Sequence, residues 1–179
     1  MSLNLRSFKR RAQLRKRSFR RFLTKLETNP PRKLDDLVAE SQAEIWKEID
    51  CLACANCCKQ MTPTYTLKDV KRISAHLGMT VSEFRSKWLY QEEGSGDWLN
   101  KSTPCQFLDL KNNHCTIYDV RPADCAGFAH LPRKKMVEFM HVHKQNVELC
   151  PATYRMVEKM MEKLKQQPIS NPEPTIISR

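Results

Sequence analysis

The sequence predicts a mainly α-helical single domain with one short β-hairpin and a cysteine-rich metal-binding centre. Apolar residues recur at helical spacing over most of the 179 residues. One stretch places strand-forming residues on both sides of a turn. Eight cysteines all fall between positions 51 and 150, and four of them lie within eight residues. We expect this domain to span residues 32–166, with a disordered tail at residues 167–179.

Positive charge is concentrated at the N-terminus. The net charge is +11, and residues 1–26 hold ten Lys or Arg and no Asp or Glu. We expect residues 1–31 to form a basic arm that is helical over residues 3–26 and ends at Pro30 and Pro31. We favour a solvated helix, because a run of charges alone is weak evidence for any particular binding function. The alternative is an arm that binds nucleic acid, the ribosome or anionic lipid. The ten basic residues are Arg6, Lys9, Arg10, Arg11, Arg15, Lys16, Arg17, Arg20, Arg21 and Lys25.

The composition and the N-terminal sequence indicate in which cellular compartment the protein resides. At 40% hydrophobic residues, the chain can bury a core without needing metal merely because it is small. No apolar run is long enough to span a membrane, and no apolar region follows the N-terminal charges as in a secretory signal. We therefore expect a cytoplasmic protein whose cysteines stay reduced and available to metal. Four disulfides in an exported protein, or a mitochondrial transit peptide at the Arg-rich start, are the alternatives.

Four further helices follow from apolar periodicity and capping signals. Residues 34–49 repeat apolar residues near the helical period and lead directly into the first cysteines. Thr66 and Thr80 each stand where a helix N-cap is expected, and each has an acidic residue three positions later. Pro151 is placed where the first turn of a last helix tolerates proline.

The predicted hairpin has strands at residues 105–108 and 115–118 and a turn at Lys111-Asn112-Asn113. Its register is left open by the sequence. A shift of one residue would move Cys105 and Cys115 from the same face of the hairpin to opposite faces.

Two other segments carry residues with candidate chemistry. Residues 91–103 are a polar loop with Gly94-Ser95-Gly96, which lacks the third glycine of a dinucleotide-binding loop. Residues 133–149 fit either a helix or a strand, and we favour the helix. His141 and His143 would share a face, as a ligand pair, only on a strand, so we expect a surface or hydrogen-bonded role.

The chemistry of the chain is concentrated in its thiols. The run Cys51-x2-Cys54-x2-Cys57-Cys58 brings several sulfurs into one loop. Thiolate is a soft ligand that suits zinc, copper(I) or iron–sulfur clusters and does not suit magnesium or calcium. Among the charged residues nearby, Arg121 could steady an anion, but no acid–base pair is recognisable by spacing. All eight cysteines are candidate metal ligands: Cys51, Cys54, Cys57, Cys58, Cys105, Cys115, Cys125 and Cys150.

Two arrangements of metal fit eight cysteines. One is a pair of closed four-thiolate zinc sites. The other is an iron–sulfur cluster held by three or four cysteines, with the rest serving a second ion or the structure. The first three cysteines have the spacing that holds three irons of a [4Fe–4S] cluster, and Cys150 precedes a proline as the remote fourth ligand does. Because neighbouring side chains point apart, Cys57 and Cys58 would serve two different metals, or one of them would be a structural thiol.

These motifs resemble the CxxCxxCC cysteine-cluster family, also called YkgJ-like, which is described as a zinc- or iron-chelating domain. The resemblance rests on the cysteine run at residues 51–58, on Cys105-Gln-Phe-Leu-Asp, and on Cys115-Thr-Ile-Tyr-Asp-Val-Arg-Pro-Ala-Asp-Cys125. It covers about residues 50–151 and implies metal chelation by these thiols in a bacterial cytoplasmic protein. A related cluster occurs in flagellin lysine N-methylases, where an iron–sulfur cluster is implicated in methyl transfer. The chain departs from the family at Ala126, where Arg is frequent.

Three functions are therefore open. The first is a metal-binding protein that uses zinc or iron for structure or for metal handling. The second is a redox or group-transfer enzyme that depends on an iron–sulfur cluster and is related to flagellin lysine N-methylase. The third is a nucleic-acid- or ribosome-associated zinc module whose basic arm binds phosphate.

Overall fold

Helices dominate the structure, a computed structural model that describes residues 4–130 and 135–166. The disordered tail expected at residues 167–179 lies outside the described residues. The α-helices are α1 (Leu5–Thr28), α2 (Leu34–Glu48), α3 (Cys51–Cys54), α4 (Asn56–Gln60), α5 (Leu67–His76), α6 (Val81–Trp88), α7 (Ala123–Gly127), α8 (Met140–Leu149) and α9 (Pro151–Gln166). Two 3-10 helices cover Tyr118–Val120 and Met136–Phe139. The strands are β1 (Thr64–Tyr65), β2 (Leu89–Gln91) and β3 (Trp98–Asn100). The predicted fold class, mainly helical with one small hairpin, is confirmed.

The larger apolar core lies among α1, α2, α8 and α9. Helix α9 is at its centre, since its Tyr154, Met156 and Val157 are fully buried. Each large apolar side chain buried in this way contributes roughly 1.5–3 kcal/mol to the free energy of unfolding. Ion pairs between α2 and α9 flank the core on the solvent side; Glu44, for example, lies 2.7 Å from Lys159 and 3.0 Å from Lys163. The four helices of this core therefore hold one another by packing.

Helix α1 belongs to this core, which the sequence did not predict. The helix itself is as expected, but it is not solvated all round. Phe8 and Phe19 are buried, and their rings lie 5.7 Å and 4.9 Å from the ring of Tyr154. Lys16 and Arg20 reach across to the carboxylate of Glu148, at 2.7 Å and 3.0 Å. One face of α1 is thus packed and ion-paired, and the opposite face is exposed.

The smaller core lies under a three-stranded antiparallel sheet in the order β1-β3-β2, with α5 and α6 packed beside it. In the register of the sheet, Leu99 of β3 is opposite both Thr64 and Tyr90. Both predicted capping boxes are present, because Thr66 and Thr80 each accept a hydrogen bond from the backbone N–H three residues later. These caps fix where α5 and α6 begin, and so how they meet the sheet.

The hairpin is not where the sequence predicted it. The predicted strands at residues 105–108 and 115–118 form a single bridge, between Leu108 and Cys115, and the chain then turns into a 3-10 helix. The hairpin is instead β2–β3, and its turn and second strand lie in the segment 91–103 that was expected to be a polar loop. Its turn contains Gly94 and Gly96, both with positive φ, a conformation that glycine adopts without steric cost. The glycine pair therefore signals a hairpin turn rather than an open loop.

The described part of the segment at residues 133–149 is mostly helical, as favoured; residues 133 and 134 lie outside the described residues. Residues 136–149 form a 3-10 turn followed by α8, and α9 begins at Pro151. His141 is exposed on α8, whereas His143 is buried in it, so the two histidines do not share a face. Within the described residues, the structure contains no helix with both the length and the apolar character needed to cross a membrane.

Candidate metal centre

Six of the eight cysteines line one cavity of about 350 Å³. Side chains from both cores meet there, for example Phe128 from the larger core and Phe107 and Ile117 from the smaller one. The other two cysteines, Cys54 and Cys150, are buried. The six that line the cavity are Cys51, Cys57, Cys58, Cys105, Cys115 and Cys125.

The cysteine run folds as two very short helices joined by one left-handed residue. Helix α3 carries Cys51 and Cys54, and the Asp50 carboxylate caps it by accepting a hydrogen bond from Leu52 N–H at 2.9 Å. Ala55, with φ 45° and ψ 22°, ends α3 and begins α4. This reversal places the following cysteines of α4 against the same cavity as Cys51.

Cys57 and Cys58 are consecutive residues of α4, and their sulfur atoms are 3.9 Å apart. Successive residues of a helix point about 100° apart around its axis. The two thiols can therefore face different neighbours. The backbone of Cys58 lies next to that of the later Cys105, because the Cys58 carbonyl oxygen accepts a hydrogen bond from Cys105 N–H at 2.8 Å.

Cys105, Cys115 and Cys125 reach the cavity from three separate segments. The bridge between Leu108 and Cys115 fixes the register that the sequence left open, and with it Cys105 and Cys115 line the same cavity. Cys125 is on α7, which begins after Pro122. Three loops that are distant in sequence thus converge on α4.

Cys150 is placed next to the cysteine run by a buried asparagine. It is the residue between α8 and α9, and its N–H donates to Asn146 at 2.7 Å. The side chain of Asn56 is buried, and its Nδ2 donates to the carbonyl oxygen of Leu149 at 2.6 Å. This bond ties α4 to the α8–α9 junction, so that Cys150 and the run at residues 51–58 are neighbours.

Electrostatic effects indicate which thiols are neighbours, and Cys58 acts on the early and the later cysteines alike. Burial, and then the nearby Cys150, raises the pKa of Cys51 to about 12. Burial likewise raises the pKa of Cys54, and Cys150 is again the thiol with the largest effect. Burial also raises the pKa values of Cys105, Cys115 and Cys125, and the thiol that adds most to each is Cys58.

The pair in α4 behaves differently from the other thiols. The Cys57 and Cys58 sulfurs share a hydrogen bond, which lowers the pKa of Cys58 and raises that of Cys57. Without metal, the buried thiols are therefore mostly protonated at neutral pH. A metal ion must displace these protons to bind the sulfurs, so its affinity falls as the pH is lowered.

The chemical type of the donor atoms, cysteine sulfur, fits zinc or iron. All eight cysteines lie in the described part of the chain and all are free thiols. Soft sulfur donors in a largely apolar surrounding suit zinc and iron–sulfur chemistry and not magnesium or calcium. Among the residues described, no group of three or more His, Cys, Asp or Glu is already arranged to hold a metal ion.

Two asparagines that position the cysteine run were not singled out from the sequence. Asn56 is one, and Asn113 is the other: its Nδ2 donates to the carbonyl oxygen of Ala53 at 3.2 Å, and its side-chain oxygen accepts from Lys59. Asn113 has φ 63°, a conformation for which Asn is the commonest residue after glycine. Its place at the end of the predicted turn was the available signal. For Asn56 the signal was a polar residue set between cysteines.

Arg121 and Asp124 also line the cavity, near Cys125. The Arg121 guanidinium lies 3.9 Å from the centre of the Tyr118 ring, and its Nη1 donates to the Tyr118 carbonyl at 2.7 Å. The Asp124 carboxylate accepts from Thr64 N–H at 3.2 Å and lies 3.5 Å from His130 Nε2. Arg121 thus lines the cavity, and its role in steadying an anion stays a prediction.

Comparison with known proteins agrees with this geometry. The model of the CxxCxxCC family, whose description is "Putative zinc- or iron-chelating domain", matches residues 50–152. Uncharacterized protein MJ0661 of Methanocaldococcus jannaschii is 34% identical over 76 residues, which are 42% of this chain and 41% of that protein. The chain therefore spans about two fifths of the length of this relative. No solved structure matches the chain. Since the family model covers more than half of the sequence, the chain belongs to the CxxCxxCC family.

Proposed function

We propose that the protein binds zinc or iron through the thiolates of its eight cysteines. The observation that carries this proposal is the convergence of six free thiols on one cavity. Of the other two, Cys54 is buried within the cysteine run and Cys150 is buried beside it. Unpaired thiols in such number are an oxidation hazard unless they bind something. A reducing compartment such as the cytoplasm keeps them available to metal.

The eight thiols divide into two four-cysteine groups. The division follows the electrostatic neighbours: Cys150 acts on the first cysteines of the run, and Cys58 acts on the three later ones. Cys57 goes with the first group, because after Cys58 its strongest thiol neighbours are Cys150 and Cys51. We name them the proximal group (Cys51, Cys54, Cys57 and Cys150) and the distal group (Cys58, Cys105, Cys115 and Cys125).

Each group has the composition of a four-thiolate site. Four cysteines satisfy a tetrahedral zinc ion without a water ligand. The proximal group also has the C-x2-C-x2-C run and the Cys-Pro that hold a [4Fe–4S] cluster. The two sets of donors therefore favour either two zinc ions or one [4Fe–4S] cluster together with one zinc ion.

Metal content and a visible spectrum, measured on protein purified without oxygen, test this proposal. Colourless protein with about two zinc ions per chain supports two closed sites. Iron with acid-labile sulfide and a broad band near ~400 nm supports a cluster. Metal-free protein with all thiols reduced, after expression with both metals supplied, contradicts the proposal.

Matched single substitutions test the division into groups. Cys54→Ser removes a ligand of the proximal group, and Cys125→Ser removes a ligand of the distal group. We expect each variant, at saturating metal, to keep the ion of the other group and to lose its own. If both variants lose the same ion, measured by metal analysis and by the spectrum, the division is wrong even though metal binding stands.

A second candidate function, a redox or group-transfer enzyme, is favoured by the cavity itself. A cavity of about 350 Å³ is large enough for a small ligand, and aromatic and apolar side chains such as Trp46, Met61 and Phe128 line it. A reducible cluster beside such a space could act on a bound molecule. Reversible reduction of the iron-containing protein in a potentiometric titration supports this function, and protein that contains only zinc contradicts it.

A further inference from the structure

We propose that the solvent-exposed face of α1 binds the phosphate backbone of a nucleic acid. This inference does not depend on metal binding by the cysteines. It rests on how the structure divides the ten basic residues of α1 between paired and unpaired positions, which the sequence could not show.

Three of the ten basic residues are neutralised by the rest of the protein. Arg15 pairs with Glu158, and Lys16 and Arg20 pair with Glu148. The other seven form no ion pair with any residue that the structure describes, and all seven are exposed. They are Arg6, Lys9, Arg10, Arg11, Arg17, Arg21 and Lys25. An excess of about seven positive charges therefore remains on one helix.

Four of the unpaired arginines form a row on the side of α1 that faces away from the core. Arg6, Arg10, Arg17 and Arg21 fall within about 60° of arc when successive residues turn by about 100°. The row is about 22 Å long at about 1.5 Å per residue. The buried side chains, such as Phe19, lie on the opposite side of the helix. We name these four residues the arginine row.

The chemistry of the arginine row fits phosphate. Guanidinium groups donate paired hydrogen bonds to phosphate oxygens and keep their charge at any physiological pH. A regularly charged backbone offers one phosphate after another along a row of this length. A single small anion would use only one or two of the four arginines, so a polyanion is the better match to the geometry.

A membrane surface is the competing partner, and the packing of α1 argues against it. A helix that lies in a bilayer interface needs a free apolar face. The apolar face of α1 is buried against α8 and α9. Leu14, with 75% of its surface exposed, is the large apolar residue that α1 still presents to solvent. Binding to lipid would have to be electrostatic alone.

The test is binding of the full chain to a labelled RNA stem-loop and to a labelled DNA duplex, measured by fluorescence anisotropy over a range of salt concentrations. The variant R10Q/R17Q/R21Q removes three charges of the arginine row, and glutamine keeps the helix propensity. Deleting residues 1–26 is a poorer test, because it also removes buried side chains such as Phe8 and Phe19. The control K68Q/K71Q/K111Q removes the same charge from exposed lysines outside α1.

We expect the unmodified chain to bind with an affinity that falls steeply with salt. The row variant should bind about tenfold or more weakly, and its slope of log affinity against log salt should be shallower by about 3. The control should bind within about twofold of the unmodified chain. Circular dichroism of both variants should show unchanged helix content.

Three results would overturn the inference. The first is equal loss of binding in the row variant and the control, since net charge alone would then explain it. The second is binding to vesicles that contain phosphatidylserine without binding to either nucleic acid. The third is nucleic-acid binding that the row variant retains in full.

Discussion

The protein contains two regions that reach a folded state by different means. The helical body consists of α1, α2, α8 and α9, each 10–24 residues long, around one continuous apolar core. The cysteine region consists of residues 51–65 and 104–128, where helices are four or five residues long and one isolated bridge joins Leu108 to Cys115. The helical body is held by packing, whereas the cysteine region has little regular structure of its own.

The difference indicates what each region needs in order to be stable. Helices of four or five residues do not persist in water by themselves, because the cost of the first turn is not recovered. In the cysteine region, six thiol side chains surround a cavity that divides the packing there. We therefore expect bound metal to supply the cross-links that this region lacks, while the helical body keeps its structure without metal.

Removing the metal should have the largest effect on stability, and it should distinguish the cysteine region from the helical body most clearly. We expect a chelator to speed hydrogen exchange by orders of magnitude in residues 51–65 and 104–128, since local opening there loses its restraint. Protection in the buried parts of α1 and α9 should persist. Exchange that speeds up uniformly along the chain would show instead that the two regions unfold as one unit.

Removing an aromatic ring from the helical body should cost about 3–5 kcal/mol of unfolding free energy. Phe19→Ala is the variant, because Phe19 is fully buried and its ring contacts that of Tyr154. Urea unfolding followed by circular dichroism measures the loss. Leu14→Ala, on the exposed face of the same helix, is the matched control and should change the free energy by about 0.5 kcal/mol or less. Equal effects of the two substitutions would mean that α1 does not pack as described.

Acid should destabilise the helical body through His143. This side chain is 1% exposed, and burial, with smaller effects from His130 and His141, lowers its pKa to about 4. The unfolded chain binds the proton more tightly, at a pKa of about 6.5. Stability is therefore complete above about pH 6.5, and up to about 3 kcal/mol is lost as the pH falls to about 4.

Urea unfolding of the chain and of His143→Gln, at about pH 7 and about pH 4, measures this contribution. The difference between the two proteins isolates His143 from the thiols, which also take up protons in acid. We expect the variant to lose less stability than the unmodified chain on acidification. An identical loss in both would show that His143 is protonated in the folded state without cost.

The capping boxes beside the smaller core should have the smallest effect. Thr66→Ala and Thr80→Ala each remove the side chain that accepts a hydrogen bond at the start of α5 or α6. Each should lower the unfolding free energy by about 1 kcal/mol. Serine at the same positions, which keeps the acceptor, should restore most of the loss. Failure of serine to do so would assign the effect to the lost methyl group and not to the cap.

The sequence predicted best those features that depend on neighbouring residues. Both capping boxes, the start of α9 at Pro151 and the amphipathic α2 could be recognised because the residues that determine them lie within a few positions of one another. The hairpin was misplaced because strand propensity alone is weak evidence: the strand-forming residues at 105–108 and 115–118 make a single bridge. The glycine pair that marks the β2–β3 turn was interpreted as part of a loop.

Two other features were beyond sequence reasoning for the same physical reason. The packed face of α1 depends on α8 and α9, more than a hundred residues away, and the charge run on α1 was given more weight than its thin apolar stripe. The link from Asn56 to Leu149 spans 93 residues. The cysteines themselves were found at once, because their spacing is a local pattern; which of them are neighbours required the fold.

The position of two cysteines side by side in α4 has a consequence for how the protein would fill with metal. Suppose that Cys57 serves the proximal group and Cys58 the distal group. A metal ion bound by one group then immobilises α4, and with it the cysteine that α4 supplies to the other group. The second ion then binds with less loss of conformational freedom than the first, which is positive cooperativity. At limiting metal, chains would be either empty or full, with few half-loaded molecules, and metal would be released over a narrow range of free concentration.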